Sequence, residues 1–217
     1  MNCLFSLNIR IAAWNAGFIT DHIRSRFVNA CHRWGCDYAE LEHFDQSLPS
    51  CHWGKLDGPI RLVGYEKLLY LDGDMVISDH APNPFDLCVD GDTIYCVTDA
   101  QGVNPNPIWL AVIYGSNSEI IRQKFPDYKQ PPVEQYFNSG FMMFRNTESV
   151  RSVFRQVRDC SAMDSLVVHE QTILNTVAYN KLKVALLPEE WNFVVSGRQP
   201  NPKAYINHYV AFTHFSV

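Results

Sequence analysis

The residues best placed for chemistry are Asp72 and Asp74, separated by Gly73. They stand between two apolar runs, Leu68-Leu69-Tyr70-Leu71 and Met75-Val76-Ile77. A short apolar run bounded by turn residues reads as a buried strand. Carboxylates at i and i+2 on extended chain point the same way, and Gly73 lets the backbone turn sharply or a ligand come close. Two such carboxylates at the end of a buried strand repel each other and are poorly solvated, and a cation between them relieves both problems. Their oxygens suit a hard or borderline divalent ion such as Mg or Mn. The alternative is a plain acidic turn, because Asp-Gly and Gly-Asp are common turn dipeptides.

The elements that must position this pair can be read along the chain. Residues 1–14 alternate loosely and suit a first strand. Thr20 or Asp21 caps a helix whose apolar positions are Ile23, Phe27, Ala30, Cys31 and Trp34, and Gly35 stops it. Tyr38–Leu41 is a short strand. Trp53–Val63 suits a helix broken near Gly58-Pro59. Asn83–Leu87 is a loop with a helical turn, and Asp92–Asp99 is a β-branched strand. Gln101–Pro107 and Pro126–Pro132 are loops, and Trp109–Tyr114 fits strand or helix. Gln135–Arg145 is a strand with polar residues at its centre. Thr147 caps a helix with Val150, Val153, Phe154 and Val157 on one face. Asp164–Tyr179 is a further helix that buries Val167, Ile173, Leu174 and Val177. Lys183–Leu187, Trp191–Val195 and Ala204–Val217 suit extended pieces.

Strands alternating with helices indicate an α/β fold, and the irregular second half suggests a mixed sheet. No linker, repeat or low-complexity tract divides the chain, so residues 1–217 read as one domain. In such sheets ligands sit outside the carboxyl ends of the strands, where Asp72-Gly73-Asp74 is placed. The 217 residues can bury a substantial core. A formal charge of −5 gives no basic footprint for nucleic acid. No apolar stretch is long enough to span a bilayer, and the first residues lack a secretory signal, so a cytoplasmic location is expected. The seven cysteines are odd in number and irregular in spacing, against a disulfide framework or zinc ribbon. Cys31, His32, Cys36, Cys51 and His52 cluster in sequence, but at a spacing that fits no common zinc finger.

Tyr65-x-Lys67-x-x-Tyr70-Leu71-Asp72-x-Asp74-Met75-Val76 resembles the D-x-D segment of glycosyltransferase family 8, the glycogenin and galactinol synthase group. Further segments are similar to that family in the same order. Lys55-Leu56 resembles the upstream lysine that meets the donor pyrophosphate, a role suited to a point charge. Tyr136-Phe137-Asn138-Ser139-Gly140 resembles the F-N-x-G segment bordering the sugar, and taken alone it reads equally as a polar bulge in a strand. His169-Glu170-Gln171-Thr172-Ile173-Leu174-Asn175 resembles D-Q-x-x-L-N, with Glu170 in place of aspartate. Leu187-Pro188 and Trp191-Asn192 resemble a mostly structural L-P…W-N segment. The family's third metal ligand is a His followed by an aromatic. His208-Tyr209 is taken for it, with His214-Phe215 as the alternative. The family's Lys-Pro tail has no counterpart.

The resemblance implies a GT-A-type fold with a mixed central sheet flanked by helices. It implies a metal-dependent transferase that moves a hexose from a UDP-sugar to a hydroxyl acceptor with retention. The acceptor could be saccharide, lipid or protein. Mn, or Mg, would be held by Asp72, Asp74 and His208. Lys55, Asp72, Gly73, Asp99, Asn138, Ser139 and Gly140 would bind donor or sugar. Gln171 and Glu170 would sit near the reacting face and stabilise a sugar with oxocarbenium character. Trp109, Tyr114, Phe125 and Tyr128 could stack on an acceptor sugar or serve as core. Two other readings remain at this point. Glu170 and the missing tail fit a UDP-sugar-binding protein without turnover. A strand ending in D-x-D also opens haloacid-dehalogenase-type phosphohydrolases, although their motif continues Gly-Thr where this chain has Met75-Val76.

Overall fold

A computed structural model of the chain describes residues 1–8, 10–11, 16–17, 20–43, 45, 47–48, 50–100, 119, 121–161, 169–195 and 199–209. The strands are β1 (Asn2–Leu7), β2 (Arg10–Ile11), β3 (Ala16–Gly17), β4 (Asp37–Leu41), β5 (Lys67–Leu71), β6 (Met75–Ile77), β7 (Thr93–Thr98), β8 (Phe137–Arg145), β9 (Lys183–Leu186), β10 (Phe193–Val194) and β11 (Ile206–His208). The helices used below are α1 (Asp21–Trp34), α2 (Gly58–Arg61), α3 (Glu148–Arg158) and α4 (His169–Lys181). The six-stranded sheet runs β4-β1-β5-β8-β7-β9. β1 is parallel to β4 and β5, β7 is parallel to β9, and β8 runs against both β5 and β7. The sheet is mixed, as the irregular second half of the sequence suggests.

Alternation along the strands feeds two apolar layers. Leu68 and Tyr70 of β5 face one layer, and Leu69 and Leu71 face the other. The first layer is closed by Val150, Val153, Phe154 and Val157 of α3 and by Ile173, Leu174 and Val177 of α4. The second is closed by Ile23, Phe27, Ala30, Cys31 and Trp34 of α1. The caps are those read from the sequence. Thr20 Oγ1 accepts from Ile23 N at 3.3 Å, and Thr147 Oγ1 accepts from Val150 N at 3.3 Å. Gly35 ends α1 in the left-handed region at φ 64°.

Several boundaries differ from the sequence reading. The first strand stops at Leu7 rather than running to residue 14, and a separate pair, β2 and β3, follows. Trp53–Val63 is a 3-10 turn over Cys51–Asp57 continued by the short α2, with the change at Gly58. A Cβ at Gly58 would lie 2.0 Å from the Phe5 ring, so this glycine lets the chain pass directly over β1. The last strand covers Ile206–His208; Ala204, Tyr205 and Tyr209 flank it, and residues 210–217 of the expected run lie outside the described residues. So do Val167, Trp109, Tyr114 and His214. Phe125 is a core residue stacked on the partly buried Tyr128 at 5.2 Å.

Candidate active site and its metal-ligand triad

The triad is assembled by one backbone turn and the strand that clamps it. β5 delivers Asp72 at its carboxyl end, and the chain then turns, with Met75 N donating to Asp72 O at 3.2 Å. Asp72 and Asp74 therefore sit in a turn, not on extended chain. Their carboxylates converge because the turn is clamped, not because strand alternation aligns them. Gly73 lies within this turn and is not left-handed; among the described glycines only Gly35 is. The clamp is β11, which pairs antiparallel with β6 and sets His208 opposite Met75. Tyr209 N donates to Asp74 O at 2.9 Å. As a result His208 Nε2 lies 3.2 Å from Asp74 Oδ1 and 4.0 Å from Asp72 Oδ2. One ligand atom from each of Asp72, Asp74 and His208 falls within 4.8 Å of the others. No such group forms from Cys31, His32, Cys36, Cys51 and His52, and the cysteines are free thiols.

β8 approaches this triad through a bulge. Its register against β7 jumps from Cys96↔Met142 to Val97↔Asn138, which leaves Ser139, Gly140 and Phe141 unmatched on that side. The polar bulge and the segment expected to border a sugar are one stretch of chain, whose extra residues bend the strand toward the triad. Asp72 N donates to Gly140 O at 2.9 Å. A Cβ at Gly140 would meet Asp72 Oδ2 at 2.6 Å, Asn138 Oδ1 at 2.8 Å and His208 Cε1 at 2.8 Å. A side chain there would have to displace one of these groups.

Lys55 lies behind Asp72, brought in by the 3-10 turn and only 2% exposed. Its Nζ is 3.3 Å from Asp72 Oδ1 and 3.0 Å from Glu170 Oε1, and it stands 5.2 Å from the centroid of the Tyr70 ring. It donates to Ser139 Oγ at 3.2 Å, and that hydroxyl donates to Glu170 Oε1 at 2.9 Å. Glu170, 2% exposed on α4, spends its carboxylate on Lys55 and Ser139. Gln171 beside it accepts from Ser139 N at 2.8 Å and donates to Asp99 Oδ2 at 3.2 Å. Asp99 also accepts from Asn138 Nδ2 at 3.1 Å. The structure therefore gathers Lys55, Asp72, Gly73, Asp74, Asp99, Asn138, Ser139, Gly140, Glu170, Gln171 and His208 into one cluster.

The charges are unevenly balanced. Burial opposes ionisation of Asp72, but Lys55 and His208 overcome it and hold the carboxyl at about 2. Burial likewise opposes the Lys55 charge, and Asp72 and Glu170 outweigh it, so its value is raised. His208 follows the same pattern: burial lowers it, and Asp74 and Asp72 raise it above the ordinary imidazole value. Burial raises Asp99. Asp74 Oδ1 is buried without a well-aligned hydrogen bond, and its contact is with His208 Nε2 at 3.2 Å. Two aspartates and a histidine converging with a buried, poorly satisfied carboxylate oxygen form a donor set that a divalent cation would satisfy.

Two residues of the cluster went unrecognised in the sequence. Tyr70 was counted in an apolar run, yet its O–H donates to Asp72 Oδ1 at 2.6 Å. Its position two residues before Asp72 was the available signal. Asn192 was assigned to a structural segment, yet it is 2% exposed and its Oδ1 lies 3.0 Å from His208 Nδ1.

The sequence profile described as glycosyl transferase family 8 matches residues 55–217, well over half of the chain. The chain belongs to glycosyl transferase family 8. No curated protein sequence matches it. Among solved structures, this family 8 chain is similar to an apo bifunctional glycosyltransferase, WbbM, at a TM-score of 0.59 and 14% identity, covering 96% of this chain and 45% of that one. It thus spans less than half of the WbbM chain. It is also similar to a glycosyltransferase involved in glycosylation of the major capsid of PBCV-1, at 0.62 and 11% identity, covering 97% and 93%. A third similar structure is the galactosyltransferase LgtC in complex with donor and acceptor sugar analogues, at 0.57 and 14% identity, covering 97% and 87%. These likenesses show the fold: a mixed central sheet flanked by helices, of the GT-A glycosyltransferase type. No helix among the described residues is long and apolar enough to cross a membrane.

Proposed function

We propose that this family 8 chain transfers a hexosyl group from a UDP-sugar to a hydroxyl acceptor, with a divalent cation, Mn or Mg, and with retention at the anomeric carbon. The observation that carries the reading is the convergence of Asp72, Asp74 and His208, one ligand atom from each within 4.8 Å of the others, in a chain of this family. Asp72, Asp74 and His208 would hold the cation. When bound, it supplies positive charge to the diphosphate of the leaving group.

The chain's own residues do the rest by position and charge. Asp99, Asn138 and Gln171 form a polar edge beside the triad, with hydrogen bonds of 3.1 Å and 3.2 Å fixing their orientation. That edge suits sugar hydroxyls. Carboxylate and amide oxygens concentrated here favour positive charge developing on the sugar ring. Gln171 serves there as a dipole, because a carboxamide is a poor nucleophile. Glu170 enters this reading as the partner of Lys55, and Lys55 as the fixed cation behind Asp72.

The test is UDP release from a panel of UDP-sugars, with Mn²⁺ and with chelator. Metal-dependent release from one donor is the expected result. The single changes Asp72→Asn and Asp74→Asn should abolish that release in protein that still folds by circular dichroism, with Asp72→Asn the less stable of the two because its carboxylate pairs with Lys55. Turnover that survives either change, or that ignores the chelator, rejects the reading. Metal-dependent UDP binding without release would mark a binding protein instead.

A further inference from the structure

We infer that Asn192 is the positioning residue that prepares His208 to act as a ligand through Nε2. The inference rests on the metal-site reading above.

The hydrogen-bond senses can be fixed from one backbone group. Gly140 N donates to Asn138 Oδ1 at 2.9 Å. A backbone N–H can only donate, so Asn138 presents its carbonyl there and its amide nitrogen to Asp99. Asn192 Nδ2 donates to that same Asn138 oxygen at 3.2 Å. The Asn192 carbonyl must then be the group that faces His208 Nδ1 at 3.0 Å. An amide carbonyl only accepts, so the hydrogen sits on Nδ1. Nε2 is left to turn toward Asp74 and Asp72. Metal-binding histidines generally donate their other ring N–H to a fixed acceptor, which sets tautomer and ring orientation.

Asn192 is itself held rigidly. It closes the 3-10 turn Glu189–Trp191, with its N–H donating to Glu189 O at 2.9 Å. Trp191 is packed against Phe141 and Tyr205. Asn192 leads into β10, which pairs with β11 beside His208. The relay from His208 through Asn192 and Asn138 to Asp99 and Gln171 therefore ties the metal ligands to the polar edge assigned to the sugar.

The experiment is Mn²⁺ titration followed by electron paramagnetic resonance, on wild type, Asn192→Leu and Asn192→Asp, with circular dichroism as the folding check. Asn192→Leu removes the acceptor for Nδ1–H and should weaken Mn²⁺ binding by about 10- to 100-fold. Asn192→Asp keeps that acceptor while losing the donor to Asn138, and should bind Mn²⁺ within the same order as wild type. Wild-type affinity in Asn192→Leu, or an equal loss in both variants, overturns the role of Asn192 and leaves the metal reading standing. A wild type that binds no Mn²⁺ overturns both. If Asn192→Leu does not fold, ¹⁵N-histidine spectra of the Zn²⁺-loaded wild type decide the matter. Hydrogen on Nδ1 and metal on Nε2 is expected, and the reverse overturns the inference.

Discussion

Gly140 shows how much of this site depends on the absence of atoms. The bulge in β8 carries its backbone against both Asp72 and His208, and a methyl group there would overlap oxygens of two side chains and a ring carbon of a third. Those side chains cannot swing away freely, because Lys55, Tyr70 and Asn192 hold them. Gly140→Ala should therefore fold with a loss of about 1–3 kcal/mol from overpacking and, if the triad binds a cation as proposed, lose most of its Mn²⁺ affinity. A thermal melt and a Mn²⁺ titration check this, and unchanged affinity would show that the triad is less tightly enclosed than these distances imply. The aspartates and glycine of this site were legible as a spaced motif. Asn192 was not, because a single asparagine after a tryptophan carries no periodic or charge signal, and its partners at positions 138 and 208 are distant in sequence. Tyr70 was obscured differently: a tyrosine in an apolar run reads as core, and its ring is indeed buried while its hydroxyl reaches Asp72.

Elements with strong local signals were readable nearly to their ends, and those defined by distant partners were not. α1 and α3 announce themselves through caps and apolar spacing, and both caps are formed. β10 and β11 are two and three residues long; β11 pairs along β6 and β10 along β11, and no local pattern encodes those partners. The bulge in β8 was one of two readings open for its polar residues, and its exact place is set by the pairing with β7. Side-chain pairing also locks α1 to the sheet edge. Glu40 on β4 accepts from Arg24 on α1 at 2.6 Å, from Tyr38 at 2.9 Å and from Asn8 at 2.5 Å. Burial opposes ionisation of Glu40, and these three donors outweigh it, so its carboxyl is lowered. A lowered folded value contributes stability above the unfolded value, about 4.3, and that contribution is lost as pH falls through the folded value. Glu40→Gln should therefore cost about 1 kcal/mol near neutral pH, kept modest because Arg24 is partly solvated. The gap should close below about pH 4. Denaturant melts at several pH values check this, and a gap that persists in acid would assign the loss to packing instead.

Across the molecule, the candidate site concentrates charge that the fold alone does not balance. Asp72, Asp74, Asp99 and Glu170 face Lys55 and His208 within one cluster. The mixed sheet and both apolar layers could be anticipated from alternation and helix spacing, whereas this cluster, drawn from segments between Lys55 and His208 that meet only after folding, could be anticipated only through the family resemblance. Its centre is the buried Lys55–Glu170 pair, where both side chains are about 3% exposed. Removing one partner of such a pair leaves an uncompensated buried charge and typically costs about 3–5 kcal/mol, whereas replacing both with apolar groups is often neutral or stabilising. Lys55→Met should thus lower thermal stability sharply, and Lys55→Met with Glu170→Met should recover most of the loss. If the triad binds a cation as proposed, Lys55→Met also removes the positive charge beside Asp72, so Mn²⁺ should raise its melting temperature by more than it raises that of wild type. The double variant should be stable and inactive. Melting curves with and without Mn²⁺, together with UDP release, separate these effects. A double variant no more stable than Lys55→Met would mean that Lys55 is held by Asp72 alone. An equal Mn²⁺ shift in wild type and Lys55→Met would mean that the lysine and the cation do not compete for the Asp72 charge.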